Sequence, residues 1–182
     1  FHMGSLYTFV FLVYDSKIIE ETVQCMELGG ENLIDALPHL FEHLLPSKHV
    51  QFKQQYLHVP INLNKETKAL KKAEKNNEKV SVKIDLPLKM ECEPIKFDMS
   101  QIEMLEGIEK LYFKEKPLVQ LVSKSVAACP VNLKELVDTS KLVLSGGATL
   151  LNGFAERFEL ELRQTNDKLQ VIANPKRDLF AW

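Results

Sequence analysis

The sequence predicts an α/β fold, and three stretches of the chain indicate it. Residues 6–14, LYTFVFLVY, are rich in aromatic and β-branched side chains and predict a buried strand. Residues 142–144 form an unbroken apolar run, which is typical of a strand covered on both faces. Gly146 and Gly147 then predict a tight turn, and apolar residues over 150–162 recur at the spacing of an amphipathic helix.

Composition indicates an ordinary folded protein. Hydrophobic residues make up 45% of the 182, 26% are charged, and the net charge is −2, so neither nucleic acid nor a membrane is an expected direct partner. No apolar run is long enough to span a bilayer. The three cysteines are far apart and odd in number, which argues against a disulfide framework or a zinc site. His39 and His43 could share a helix face, but no carboxylate spacing such as H-E-x-x-H appears, so we expect a surface or partly buried histidine pair and not a zinc site.

The N-terminal part of the chain predicts a hairpin. Residues 1–5 contain His-Met-Gly-Ser and are expected to be the remnant of an expression tag. The strand over 6–14 is followed by a turn at Asp15, and residues 18–26 return as the second strand.

A helix is predicted to follow that hairpin. Gly29 and Gly30 end the hairpin, and the helix starts near Asn32. Pro38 is expected to kink this helix or to shift its start, because proline does not fit a helix interior.

The middle of the chain is less regular. Residues 65–79 are rich in lysine and predict a short, mostly solvated helix. Residues 80–86 alternate and predict a half-buried strand, and 94–99 predict a shorter one. Ser100 and Glu103 form a capping box, so a helix should begin there.

The last part of the chain returns to helix and strand. Pro117 opens a helix that reaches about Ala128. After the central helix, residues 169–173 predict a strand, and 174–178 predict a loop.

The glycine turn between strand and helix is the first candidate functional feature. Free N–H groups and the positive end of a helix dipole suit an anion or a nucleotide at such a turn. The sequence around Gly146 has neither the P-loop nor the dinucleotide-binding glycine pattern. By pattern alone, the alternative of a tight turn without ligand therefore stays open.

Longer stretches resemble a known family. Residues 142–162, LVLSGGATLLNGFAERFELEL, look like the C-terminal nucleotide-cleft motif of the actin and actin-related protein family. Residues 129–136, CPVNLKEL, resemble the segment before that motif, and 171–182, VIANPKRDLFAW, resemble the strand, loop and tryptophan after it. Residues 26–33, MELGGENL, look like the other glycine turn of the same lobe. Residues 48–117 match poorly in detail.

This resemblance implies one lobe of an actin-like (ribonuclease H-like) ATPase fold, with a mixed sheet flanked by helices and a small inserted α+β subdomain. The larger inner subdomain would comprise residues 6–45 and 118–182. The smaller outer subdomain would comprise 46–117. In the family, ATP and a divalent metal lie between two lobes, and the two glycine turns of this lobe should meet on the same rim of that cleft.

Several residues map onto the family's nucleotide site. Gly146, Gly147 and Leu150 match the turn at the adenosine end, and Gly30 matches the turn beneath the ribose. A lysine or arginine and a glutamate of an outer helix are expected near the adenine and ribose, with Lys68, Lys71, Lys72 and Glu74 as candidates by position. The family's basic loop residue falls at Asp178, so Arg177 becomes the adenine-side candidate. The candidate nucleotide-binding residues are Gly30, Gly146, Gly147, Leu150, Arg177 and Lys72.

The resemblance also predicts what is missing. The first phosphate loop belongs to the other lobe, and the second, an Asp-x-Gly turn, should lie just before Leu6. If residues 1–5 are native, that turn is degenerate and lacks its carboxylate. Since phosphoryl transfer depends on charge stabilisation around the γ-phosphate, we expect no catalytic residues, no metal ligands and no tightly bound ATP here, although ATP could bind a full-length parent.

The sequence therefore favours a divergent actin-related protein that acts as a non-catalytic structural subunit of a larger assembly. The dynactin pointed-end subunit and the chromatin-remodelling subunits are the two subfamilies it resembles. Its expected partners are other protein subunits, including actin or actin-related proteins, in the cytoplasm or nucleus. Two alternatives stay open. The chain could be a lobe of a genuine actin- or Hsp70-type ATPase that needs its other lobe, or an unrelated α/β binding domain.

Overall fold

The computed structural model describes residues 1–42, 49–75, 83–84, 95–96 and 100–179. Short 3-10 turns occupy Glu20–Thr22, Val131–Leu133 and Gly147–Leu150. The strands are β1 (His2–Met3), β2 (Thr8–Val10), β3 (Val13–Tyr14), β4 (Lys17–Ile18), β5 (Gln24–Met26), β6 (Lys83–Ile84), β7 (Ile95–Lys96), β8 (Lys141–Leu144) and β9 (Gln170–Ala173). The helices are α1 (Asn32–Ala36), α2 (Pro38–Phe41), α3 (His49–Tyr56), α4 (Leu63–Lys75), α5 (Gln101–Tyr112), α6 (Pro117–Ala127) and α7 (Phe154–Arg163).

The central sheet is mixed. Strand β2 pairs antiparallel with β1 on one side and with β5 on the other, while β8 and β9 pair in parallel. A parallel bridge between His2 and Ser145 joins the two groups. The Ser145 amide donates to Phe1 O at 2.9 Å, and the Met3 amide donates to Ser145 O at 3.0 Å. The strands therefore lie in the order β9-β8-β1-β2-β5.

Residues 1–3 are part of the core. Met3 is fully buried, and the Phe1 ring packs 4.8 Å from the Phe158 ring of α7. The chain then turns at Gly4, whose amide donates to Tyr7 O at 2.9 Å, and enters β2. The expected tag remnant does not fit this packing, because a remnant has no reason to supply a strand to the sheet. The alternative of a native turn without a carboxylate fits it.

The sheet is covered on one face by the described residues, which differs from the prediction. Leu144 is buried, but its neighbour Val143 is 59% exposed and Ile172 of β9 is 46% exposed. In the hairpin, Thr8 and Val10 are buried while Phe9 between them is exposed. The run 142–144, predicted to be covered on both faces, and the strand over 6–14, predicted to be buried, therefore alternate in burial, because neighbouring strand residues point to opposite faces.

Local signals in the sequence are confirmed. Asp15 and Ser16 have φ of 49° and 58° and form the predicted hairpin turn between β3 and β4. The helix that starts at Asn32 breaks before Pro38, which begins α2. The Ser100 side chain accepts from the Glu103 amide, which completes the capping box of α5.

The helix after the glycine turn begins later than predicted. Residues Gly147–Leu150 form a 3-10 turn, and α7 starts at Phe154. Gly153 before it has a φ of +78°. The delay has a tertiary cause, since Asn152 O accepts a 2.7 Å hydrogen bond from the Val59 amide and holds the chain away from the helix.

The predicted outer segment shares the core of the inner one. One hydrophobic cluster includes Ile108 and Tyr112 of α5 together with Phe154 and Phe158 of α7. The boundaries at residues 45 and 117 stay predictions. Of the strands predicted at 80–86 and 94–99, the structure describes only β6 and β7, which pair antiparallel. His43, Cys92 and Trp182 lie outside the described residues.

A buried charged cluster fastens α5 to α7. The Arg157 guanidinium donates to both oxygens of Glu109, at 2.8 and 3.0 Å, and to Pro60 O at 2.9 Å. It also bonds Glu161 at 3.0 Å and lies 5.0 Å from the Phe113 ring centre. The cluster crosses from the predicted outer segment to the inner one, so it fixes how these helices pack.

None of the described helices has the length and apolar character needed to cross a membrane.

Candidate functional site

Two glycine turns and the turn after β1 meet on one rim of the molecule. A Cβ built on Gly30 would lie 3.3 Å from the Cβ of Ala148 and 3.7 Å from Gly4 O. The sequence prediction that Gly30 and Gly147 share a rim is therefore confirmed. Three chain segments far apart in sequence contribute backbone to this place.

A small cavity of about 130 Å³ lies between these turns. Its walls are backbone of the three turns, apolar side chains and the polar side chains of Ser5, Lys53, Gln54 and Tyr112. Ligand pockets of drug size usually occupy about 300–1,000 Å³, so this cavity is below that range. The lining residues are Gly4, Ser5, Gly30, Leu33, Val50, Lys53, Gln54, Tyr112, Gly147, Ala148 and Leu151.

The amides of the Gly29–Gly30 turn are bonded within the chain. The Gly29 amide donates to the Asn32 side chain at 2.8 Å. The Gly30 amide donates to Gly4 O at 3.0 Å. Neither amide is therefore left for an anion, although free amides are what make a glycine turn attractive to one.

The carbonyls of the same turn are also bonded. The buried Tyr112 hydroxyl donates to Gly29 O at 3.0 Å, and Lys53 Nζ donates to Gly30 O at 2.7 Å. Burial raises the pKa of Tyr112, which keeps its phenol protonated as a donor. Every backbone N–H and C=O of Gly29 and Gly30 thus has a partner in the chain.

The basic residue on the rim is Lys53, and the candidate Lys72 is not there. Lys72 is exposed on α4, a helix that packs against α5. The helix that passes the glycine turn is α3, which precedes the lysine-rich helix, and a nucleotide contact by Lys72 stays a prediction. The sequence contains a signal for Lys53, because it follows the apolar Phe52 and is the one lysine within His49–Tyr56.

The two glycines of the Gly146–Gly147 turn differ in how much space surrounds them. Gly146 has a φ of +94°, and a Cβ there would lie 2.2 Å from Met3 O, so this position requires glycine. The Gly146 amide donates to Arg177 O at 2.9 Å. Among the described residues, and apart from its own chain neighbours, no heavy atom lies within 4 Å of a Cβ built on Gly147, which is exposed. Leu150, the third candidate of this turn, is partly buried at the end of the 3-10 turn.

Arg177 fastens its own loop to the glycine turn. Its Nε donates to Thr149 Oγ1 at 2.9 Å, and a terminal nitrogen donates to Asn174 O at 3.1 Å. Burial lowers the pKa of Arg177, which the nearby carboxylates of Glu156 and Asp178 oppose. The guanidinium thus bonds the protein and does not line the rim cavity, and the adenine-side role of Arg177 stays a prediction.

The residues of the rim do not fit the triphosphate and metal that the resemblance implies. The turn at Gly4 follows His2 and Met3, so it carries no carboxylate. The His2 ring nitrogen lies 3.0 Å from Ser145 Oγ, and burial lowers the pKa of His2. Within the described residues, no three His, Cys, Asp or Glu side chains are grouped so as to hold a metal ion.

Two comparisons with known proteins agree with the motifs. A family model described as Actin matches residues 90–182. Centractin of Schizosaccharomyces pombe is 28% identical over 183 residues, which cover 93% of this chain and 46% of that protein. The chain therefore spans about half the length of this curated relative.

Proposed function

The chain belongs to the actin family, and we propose that it is an actin-related protein that serves as a non-catalytic structural subunit of a larger assembly. Its likeness to centractin supports an actin-related protein over conventional actin. The structural role is supported by the packed core of the lobe and by the glycine turn at its rim, which is hydrogen-bonded by the protein's own side chains Lys53 and Tyr112.

The observation that carries this proposal is the complete internal bonding of the Gly29–Gly30 turn. A nucleotide could recruit those groups only by breaking existing hydrogen bonds, and an unsatisfied buried group costs about 1–3 kcal/mol. The absence of a carboxylate from the turn before Leu6 acts in the same direction, because the metal and the γ-phosphate would lack a ligand there.

The finer fold assignment is also a proposal. The order β9-β8-β1-β2-β5, with β1 parallel to β8 and antiparallel to β2, supports a ribonuclease H-like sheet. The segment 46–117 would then be the inserted outer subdomain.

One observation favours the alternative of an ATPase lobe that needs its other half. Gly147 is exposed, and the space beside it is open, so its backbone remains accessible to a ligand supplied with a second lobe. In that case ATP would bind in the full-length protein.

The proposed partners are other protein subunits, among them actin or actin-related proteins, with no direct contact to nucleic acid or membrane. The likeness to centractin favours an assembly of the dynactin type in the cytoplasm over a nuclear one.

Isolation of the tagged full-length protein from its own cells tests the proposal. We expect a stoichiometric assembly that contains further actin-family subunits, identified by native mass spectrometry, and no ATP turnover by the isolated subunit. A monomer that hydrolyses ATP with a bound divalent metal would contradict it.

A further inference from the structure

We propose that Lys53 closes the Gly30 side of this half-cleft, which the family resemblance places beneath the ribose of a nucleotide. Its ammonium is bonded to Gly30 O and its side chain lines the cavity beside that turn, so a purine nucleoside reaches the Gly30 turn only after that bond breaks. The inference rests on the proposed function, in which nucleotide is not required. It adds the residue that keeps the rim closed.

Two contacts hold the Lys53 ammonium in place. Nζ donates to Gly30 O at 2.7 Å and lies 5.6 Å from the centre of the Phe41 ring. A carbonyl oxygen and an aromatic face both attract a cation, and the attraction grows where water is excluded. The ammonium is therefore fixed from two sides.

The space around Lys53 is too small for a nucleoside while the lysine is present. The cavity that it lines measures about 130 Å³, and its other walls include the buried residues Leu33, Leu151 and Tyr112. Packed walls of this kind yield little, so the flexible lysine is the part that can move. Substitution by alanine removes the three outer methylenes and the ammonium, which would enlarge the cavity towards α3.

A ligand that displaces Lys53 must also replace its bonds. Burial lowers the pKa of Lys53, and the Glu31 carboxylate opposes this effect. A partly desolvated ammonium without an acceptor is unfavourable, and so is the Gly30 carbonyl without a donor. The arrangement with Lys53 bonded to Gly30 is thus the favoured one. Because a nucleoside binds only molecules in which this bond is open, its apparent affinity is reduced in proportion to their fraction.

Calorimetric titration of the full-length protein with adenosine, and with ATP and Mg²⁺, tests this inference in three forms: wild type, Lys53→Ala and Lys65→Ala. Lys65 is an exposed lysine of α4 and provides the charge-matched control. We expect Lys53→Ala to bind adenosine at least about tenfold more tightly than wild type, with Lys65→Ala unchanged. Equal or weaker binding by Lys53→Ala would overturn the inference. Equal binding would mean that Lys53 does not exclude adenosine, and weaker binding would mean that Lys53 contacts it.

A measurement on the wild-type protein covers the case in which Lys53→Ala does not fold. Amine-reactive labelling followed by mass spectrometry should modify Lys53 at least about tenfold more slowly than Lys65, since a bonded, partly buried amine is rarely free to react. Labelling of both lysines at the same rate would show that the closed contact does not persist in solution.

Failure of this inference can be told from failure of the proposed function. Wild-type protein that binds and hydrolyses ATP would contradict the proposed function. Wild type and Lys53→Ala that both fail to bind adenosine would overturn the role of Lys53 and leave the structural role standing.

Discussion

Substitution of Arg157 by methionine tests whether the charged cluster holds α5 and α7 together. The charged side chains of this cluster are mostly buried, with 10% exposure for Arg157, 17% for Glu109 and 10% for Glu161. Methionine keeps the apolar contact with Phe113 but removes every hydrogen bond of the guanidinium. The carboxylates of Glu109 and Glu161 would then remain largely shielded from solvent without their main partner.

The magnitude follows from those contacts. Loss of one partner of a buried ion pair typically costs about 3–5 kcal/mol. Lys116 Nζ lies 3.2 Å from Glu161 Oε2, without the alignment of a hydrogen bond, and continues to offset that charge. We therefore expect the lower end, about 3 kcal/mol of unfolding free energy, or about 6–12 °C in Tm.

Urea unfolding followed by circular dichroism measures this loss, with Arg163→Met as the matched control. Arg163 lies on the same helix and pairs with Glu159, but it is 45% exposed, so its removal should cost no more than about 1 kcal/mol. The double variant Glu109→Gln/Arg157→Met should lose less than the sum of its two single losses. An Arg157→Met protein as stable as Arg163→Met would refute the reasoning.

Two further predictions concern the rim. Gly146→Ala should lose about 3 kcal/mol, because its φ of +94° and the Met3 carbonyl leave no room for a Cβ, whereas Gly147→Ala should stay within about 1 kcal/mol of wild type. Equal losses in urea unfolding would contradict the division of roles in this turn. For Tyr112, the raised pKa means that its contribution is complete below the unfolded-state pKa of about 10 and is lost as pH rises above it. Tyr112→Phe should therefore lose about 1–2 kcal/mol at pH 7, because Gly29 O loses its donor, and should show a shallower alkaline loss of Tm than wild type. An unchanged alkaline slope would argue against this role.

The sequence predicted those parts of the fold that depend on neighbours in the chain. Pro38, Ser100 and the Asp15 turn act through their own backbone, so their effects could be located by residue. The two glycine turns were brought to one rim by the family resemblance, since local signals say nothing about which turns meet. The exposure of Val143 was not predicted, because the cover of a strand depends on which helices pack on each face.

The candidate site was predicted less well than the fold. Lys72 was chosen from a helix with many lysines, but helix α3 carries the lysine that reaches Gly30. Arg177 was a candidate from the family resemblance, but its hydrogen bonds to Thr149 could not be predicted from sequence, because they depend on how the loop folds back. Residues with long-range partners were the ones that pattern alone could not assign.

The central claim is that the backbone groups of the Gly29–Gly30 turn are already hydrogen-bonded by the protein's own residues. Calorimetric titration of Mg²⁺ and ATP into the full-length wild-type protein tests this claim, with phosphate release followed in parallel. The account predicts no binding heat in the micromolar range and no phosphate release. Micromolar, metal-dependent binding with turnover would contradict it.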